Sequence, residues 1–278
     1  GMKRRSQTAA GRLRSPEDRS LPAVLLVLSV LLFACMTAAL CMGRYSSLSP
    51  REALSILLSH VLPLEGAWTE NQINVVMRVR LPRVTGAMLV GGALALAGTT
   101  FQGVFRNPLV SSDMLGVSNG ACIGAALSIL LGLGAAATQG LAFVFGIAAV
   151  LITTAIPRFM RRESTITLVL SGIIVSGFMS SMMGLIKYLA DAETQLPDIV
   201  YWTMGTFSKV TLDDVKAIGP LILAVAAVLL ALSWRLNLLA LGDAEARTLG
   251  VHVRRERRIA IVCATLLTEV GGQAVLGR

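Results

Sequence analysis

Charge is what this sequence most lacks. Only 15% of its 278 residues are Asp, Glu, Lys or Arg, where a soluble domain carries about 25%. With 54% apolar residues beside so little charge, a water-soluble globule is excluded. Histidine is nearly absent. His60 and His252 are the two, and neither has a sequence neighbour with which to build an acid–base or nucleophilic set. The cysteines, Cys35, Cys41, Cys122 and Cys263, fall in apolar runs without metal-ligand spacing. They read as small buried apolar residues. No catalytic residue, metal site or cofactor is expected. No glycine-rich loop ends in Lys-Ser or Lys-Thr, so the chain has no P-loop of its own.

What is present is apolar sequence in long runs, with a mean hydropathy of +0.71. About seven runs approach the ~20 residues a membrane-spanning helix needs: 21–43, 84–105, 114–134, 138–157, 166–189, 218–234 and 259–276. In lipid every backbone group must bond internally, so these runs predict helices. Their Ala, Gly, Leu and Met content argues against a barrel, which shows short alternating segments. The expectation is an all-α polytopic membrane helix bundle over 21–278, preceded by a basic tail at 1–20.

The net charge of +9 follows from topology rather than from nucleic-acid binding, which is not expected. Lys3, Arg4, Arg5, Arg12, Arg14 and Arg19, then Arg106, Arg158, Arg161, Arg162, Arg235, Arg247, Arg254, Arg255, Arg257 and Arg258, fall on one side of the alternating spans. That basic excess predicts a cytoplasmic N-terminus. The interiors of the first six spans hold no Asp, Glu, Lys or Arg, and Lys187 at the end of the fifth can snorkel outward. Ion-coupled transporters often need intramembrane charges, so their scarcity argues against a self-powered one. Glu269 is the exception, near the middle of the seventh run, where a charge is costly.

Three spans carry small residues at every fourth position: Ala87, Gly91, Ala95, Thr99, Gly103; then Gly116, Gly120, Gly124, Ser128, Gly132; then Gly172, Ser176, Ser180, Gly184. Such faces let helix backbones approach closely in lipid. Between the first two stripes lies "RNPLVSSDMLGVSNGA". Pro108 pushes Asn107 out of helical geometry, and Ser112 or Asp113 can cap the following helix. Ser49-Pro50-Arg51-Glu52 is a capping box with proline at the first helical position. Leu54, Leu57, Leu58 and Val61 follow it at helical spacing. In "LGDAEARTLGV" Asp243 reads as a cap and Gly250 as a stop. This short helix is either a connector or a handle for a cytoplasmic partner.

The segments "RVRLPRVTGAMLVGGALALAGTTFQGVFRNPLVSSDMLGVSNGA", "YWTMGTFSKVTLDDV" and "LALGDAEARTLGV", in that order, resemble the FecCD-type permeases of bacterial ABC importers for iron-siderophores, haem and vitamin B12. The resemblance runs from about Leu21 to about Leu267. It implies a homodimeric permease of the bacterial inner membrane, multi-pass, fed by a periplasmic binding protein and driven by two cytoplasmic ATPase subunits. It places Arg80 and Arg83 at the docking site for the binding protein. Asn107, Leu109, Ser164 and Thr165 fall at the cytoplasmic gate. Asp243, Glu245, Arg247 and Gly250 match the coupling helix on the ATPase, which favours the handle. After Leu267 the sequence departs from the family's pattern, which predicts a chain truncated at its C-terminus.

The leading expectation is therefore a permease for a metal chelate, foremost an iron-siderophore, that hydrolyses nothing itself. Haem, cobalamin or an oxyanion are alternative cargoes. A gradient-driven secondary transporter, or a fragment that binds partners without transporting, are the alternative functions.

Overall fold

The structure is a computed structural model that describes residues 16–42, 48–59, 68–160 and 165–276. Among them every regular element is helical. The chain divides into two units, 1–80 and 81–278.

The first unit holds α1 (Pro16–Cys41), α2 (Pro50–Ser59), α3 (Glu70–Asn74) and a π-helical turn, Val75–Arg80. From Leu25 to Phe33 the large side chains of α1 are more than half exposed, as suits a helix solvated by lipid. The Ser49 capping box forms as expected. The Ser49 amide donates to Glu52 at 2.8 Å and the Glu52 amide to Ser49 Oγ at 3.3 Å. The bonds that the Ser49 amide, and then its hydroxyl, give the Glu52 carboxylate hold that carboxyl below its usual range. The buried face of α2 differs from the leucine spacing read in sequence. Ala53 and Ile56 face inward while Leu54 and Leu58 are exposed, because Ile56 packs on Val76 and Leu48. Val61 lies outside the described residues.

The second unit holds α4 (Leu81–Phe105), α5 (Val117–Leu130), α6 (Ala135–Phe159), α7 (Thr165–Leu189), α8 (Gln195–Met204), α9 (Leu212–Ala231), α10 (Ser233–Leu241), α11 (Asp243–Thr248) and α12 (Val253–Leu276). Its main core joins α4, α9 and α12 through Ala93, Ala97, Phe101, Ile222, Leu229, Ala264 and Leu267. A second core joins α5 and α7 through Ile123, Ala126, Val175, Met179 and Ile186.

The α5 stripe packs as its spacing predicted. A Cβ added at Gly120 would meet Phe145 O at 2.5 Å and Ala149 Cβ at 2.8 Å. One at Gly124 would collide with the Leu141 carbonyl. The α5 and α6 backbones are therefore in direct contact, and Thr138 Oγ1 donates to Ser128 Oγ across them at 3.0 Å. The α4 stripe behaves differently. Ala87, Gly91 and Ala95 are exposed, and nothing lies within 4 Å of a Cβ at Gly91 or Gly103. The opposite face, Val90, Ala93, Ala97 and Phe101, is the buried one. The α7 stripe is split. Gly172 lies against the Met114 carbonyl, while Gly184 faces open space.

All seven expected runs fall in helices, but five helices among the described residues are long and apolar enough to cross a bilayer: Pro22–Cys41, Glu70–Phe105, Ala135–Phe159, Ile166–Leu189 and Leu212–Ala231. The run at 114–134 gives only the 14 residues of α5, about 21 Å of helix against a core of about 30 Å. Its start is displaced because 107–116 folds as a series of turns ending at Gly116, φ 80°. Asp113 does not cap the helix backbone. It accepts from Ser118 Oγ in the first turn of α5 at 2.5 Å.

Candidate functional site

The end of α4 sets the geometry of one end of the second unit. Pro108 cannot follow a helical residue comfortably, and the chain leaves the helix one residue early. Arg106 takes φ 52°, the one non-glycine residue with positive φ among those described. Asn107 is then buried, and its Oδ1 accepts from the Leu109 amide at 3.0 Å. This side-chain turn fixes the bend locally. Gln102 Nε2 reaches across to the Pro108 carbonyl at 3.1 Å. Val110 and Leu115 anchor the loop in the core, whereas Leu109 projects with 70% of its surface exposed.

The α10–α11–α12 corner sits against this turn. Gly242, φ 146°, opens α11. An L side chain is strained at that φ, and one here would also strike the Glu245 carboxylate. Asp243 is the first residue of α11 rather than its cap. Its carboxylate turns away from the helix end. Oδ1 takes a hydrogen bond from Arg257 Nη2 of α12 at 2.7 Å and lies 3.6 Å from Arg106 Nη2. Beside it Arg235 Nη1 donates to the buried Glu256 at 2.6 Å. Ala246 is fully buried under Leu238, Leu239 and Val253. Ala244, Glu245, Arg247, Thr248 and Leu249 are exposed. Gly250, φ 79°, ends the helix as expected, and its amide bonds Arg247 O at 3.0 Å. The arrangement is a short helix with a tethered inner face and a free mixed outer face.

Of the expected gate residues, Asn107 and Leu109 share this corner with Asp243. Thr165 opens α7, and Ser164 lies outside the described residues. The two expected docking arginines differ. Arg80, 7% exposed, sends Nη1 to the carbonyls of Leu40 and Cys41 at 2.7 and 3.0 Å. It thereby serves carbonyls that the end of α1 leaves without intrahelical partners, of which Cys41 O also accepts from the Leu48 amide at 3.3 Å. Its guanidinium is committed to the protein interior. Arg83 is exposed, and its Nη2 donates to Ser208 O at 2.9 Å. The sequence reading missed Arg106 and Arg257 as partners of Asp243. It counted both only as flanking charge, and no spacing rule links position 106 to 243.

Glu269 is buried at 3% exposure with Oε1 unpartnered. It lies against Gly146 of α6, where an added methyl would collide with the carboxylate. With Ser118, Cys122, Trp202, Thr203 and Thr268 it lines a cavity of about 250 Å³. Among the described residues no group of three His, Cys, Asp or Glu side chains is placed to hold a metal.

Apolar helices of spanning length, backbone-level helix contacts and a tethered helix with a free face define a polytopic membrane protein of the transporter-subunit kind. The chain belongs to the FecCD transport family, whose profile matches residues 30–274. The match carries past Leu267, where the sequence reading placed the departure from the family.

The chain is similar to the molybdate import system permease protein MolB of Haemophilus influenzae, 36% identical over 87% of this chain and 71% of that protein. It is similar to the vitamin B12 import system permease protein BtuC of Citrobacter koseri, 35% identical over 84% and 72%. A solved chain of a metal-chelate type ABC transporter in an inward-facing conformation superposes with a TM-score of 0.71. It is 32% identical and covers 91% of this chain and 75% of that one. Across the most similar curated relatives this chain spans 56% to 72% of their length.

Proposed function

We propose that the chain is the permease subunit of an ABC importer for a metal chelate, foremost an iron–siderophore complex. Separate cytoplasmic ATPase subunits supply the energy and a periplasmic binding protein delivers the cargo. Two copies form the permease in the bacterial inner membrane, with the basic tail 1–20 on the cytoplasmic side. The observation that carries this reading is α11. A permease without a nucleotide site must receive work through a physical contact. A short helix with a free polar rim at Glu245 and Arg247 and an anchored inner face suits that contact. Asn107, Leu109, Ser164 and Thr165 form the cytoplasmic gate in this reading. Asp243, Glu245, Arg247 and Gly250 build the coupling helix. Docking of the binding protein falls to Arg83, while Arg80 organises the end of α1.

A second cargo, molybdate, is favoured by one observation: the 36% identity to a molybdate permease over 87% of this chain. Proteoliposomes containing the permease, its ATPase and its binding protein test both readings. ATP-dependent uptake of a radiolabelled ferric hydroxamate supports the first, and uptake of molybdate the second. Uptake that follows a proton or sodium gradient without ATP overturns the importer assignment.

A further inference from the structure

We infer that Asp243 is a two-armed ionic tie that makes the turn Arg106–Leu109 move with α11, so that a push on the short helix reaches the loop through one carboxylate. The inference rests on the coupling reading above and deepens it. It names the atoms that join the partner-facing helix to the gate.

One oxygen, Asp243 Oδ1, faces two guanidinium groups from two other helices. Arg257 of α12 holds it at 2.7 Å, and Arg106 at the end of α4 stands at 3.6 Å. The arms are unequal. The short one is a charge-assisted hydrogen bond with good geometry, so α11 and the start of α12 move as a piece. The long one is a Coulomb contact without a tight hydrogen bond. A carboxylate that must divide itself between two arginines can strengthen one contact as the other lengthens. The side chains are partly shielded, 34% exposed for Asp243, 21% for Arg257 and 47% for Arg106, and such pairs are screened less than fully exposed ones.

The backbone at Arg106 shows why this arm is the movable one. A left-handed conformation is costly for a residue with a Cβ and persists only where its surroundings impose it. Three things impose it here: proline two residues on, the bonds from the Arg106 amide to Gly103 O at 3.3 Å and from the Asn107 amide to Gln102 O at 3.1 Å, and the pull of Asp243. The pull is the one constraint that comes from outside the turn. Its loss leaves Asn107 and Leu109, one and three residues further on, tied to α4 but no longer to α11. Arg106 does not touch cargo or nucleotide. It is a positioning residue, and Asp243 acts through it.

Arg106→Gln and Arg106→Lys in the assembled transporter test the tie. The first removes the charge and keeps length; the second restores the charge. For Arg106→Gln we expect unchanged ATPase association by pull-down, with cargo moved per ATP reduced about five-fold, the lower range of measured coupling energies. Arg106→Lys should recover more than half of that loss. Asp243→Asn combined with Arg106→Gln should be no worse than the poorer single variant. Transport per ATP in Arg106→Gln equal to wild type, or a double variant whose losses multiply, overturns the tie.

A second measurement stands without transport. In the purified chain in nanodiscs, on a background with its cysteines replaced, spin labels at Leu109 and Arg247 report the distance between loop and helix. A distribution that broadens in Arg106→Gln and narrows again in Arg106→Lys supports the tie. One that is the same in all three overturns it. Wild-type complexes that take up neither cargo would refute the importer reading, and the label distances would still decide the tie.

Discussion

Replacing Gly124 with alanine should damage this protein far more than replacing Gly91, although both glycines lie on small-residue stripes in apolar helices. At Gly124 the new methyl would stand 2.6 Å from Leu141 C and 2.8 Å from Ala142 N, and closer still to the Leu141 carbonyl oxygen. Carbon atoms rest at about 3.5–4.0 Å, so α5 and α6 must part by about 1 Å. The obstructing atoms are backbone and cannot rotate away. Overpacking of this kind costs about 1–3 kcal/mol. Separation also stretches the buried Ser128–Thr138 bond at 3.0 Å, and an interhelical hydrogen bond in lipid is worth about 0.6–2 kcal/mol. The total is about 2–5 kcal/mol. At Gly91 a methyl meets nothing within 4 Å, and alanine is the better helix former by about 1 kcal/mol. Reversible unfolding in mixed micelles, followed by tryptophan fluorescence, measures both. Equal stabilities for the two variants would refute the claim that α5 and α6 touch through their backbones.

Four further outcomes follow from the same contacts. Glu269→Gln keeps the shape and removes an ionisable group from a buried position where, among the described residues, Oε1 has no partner; its midpoint of unfolding should equal or exceed wild type, since a buried carboxyl without a partner gains nothing from its ability to ionise. Arg80→Ala removes the guanidinium donor from the Leu40 carbonyl and leaves Cys41 O with the Leu48 amide alone, and should lower stability by about 1–3 kcal/mol, with binding-protein affinity unchanged. Arg83→Glu should weaken binding-protein capture at low salt, mainly through the association rate, and lose that effect at high salt; surface plasmon resonance at two ionic strengths reads it. Ala246→Pro removes the amide that bonds Gly242 O at 3.0 Å, at about 3 kcal/mol for proline in a helix interior; ATPase stimulation by loaded binding protein should vanish, and wild-type stimulation would make α11 a mere connector.

The positions of α1, α4, α6, α7 and α9 were legible because length and apolarity are local properties. The faces were not. Ala87-Gly91-Ala95 and Gly116-Gly120-Gly124 have the same period and the same residue sizes. Among the described residues only the second finds a partner, because Leu141, Phe145 and Ala149 of α6 present backbone and a small side chain at matching heights. Periodicity tells which residues share a face, not what that face meets. The site divided along the same line. Gly250 as a stop and Asn107 as a break depend on one or two neighbours in sequence, and both hold in the structure. Asp243 was misread as a cap because its true partners, Arg106 and Arg257, are brought to it by the packing of α4 and α12.

Two joints of the second unit are held by forces of different steepness, and this decides where it can yield. Along α5 and α6, at Gly120 and Gly124, the helices meet at van der Waals distance. Repulsion there rises within tenths of an ångström, so the pair must move as one body. At the α4–α11–α12 corner the joining element is a carboxylate between two arginines. A Coulomb energy falls only as the inverse of distance, so lengthening the Arg106 arm from 3.6 Å by about 1 Å weakens it by about a fifth. The same displacement at Gly124 would void the contact. A transporter that must change shape without losing its fold needs both kinds of joint. Glycine at every fourth position of α5 supplies the stiff one, and a carboxylate shared between two arginines supplies the compliant one.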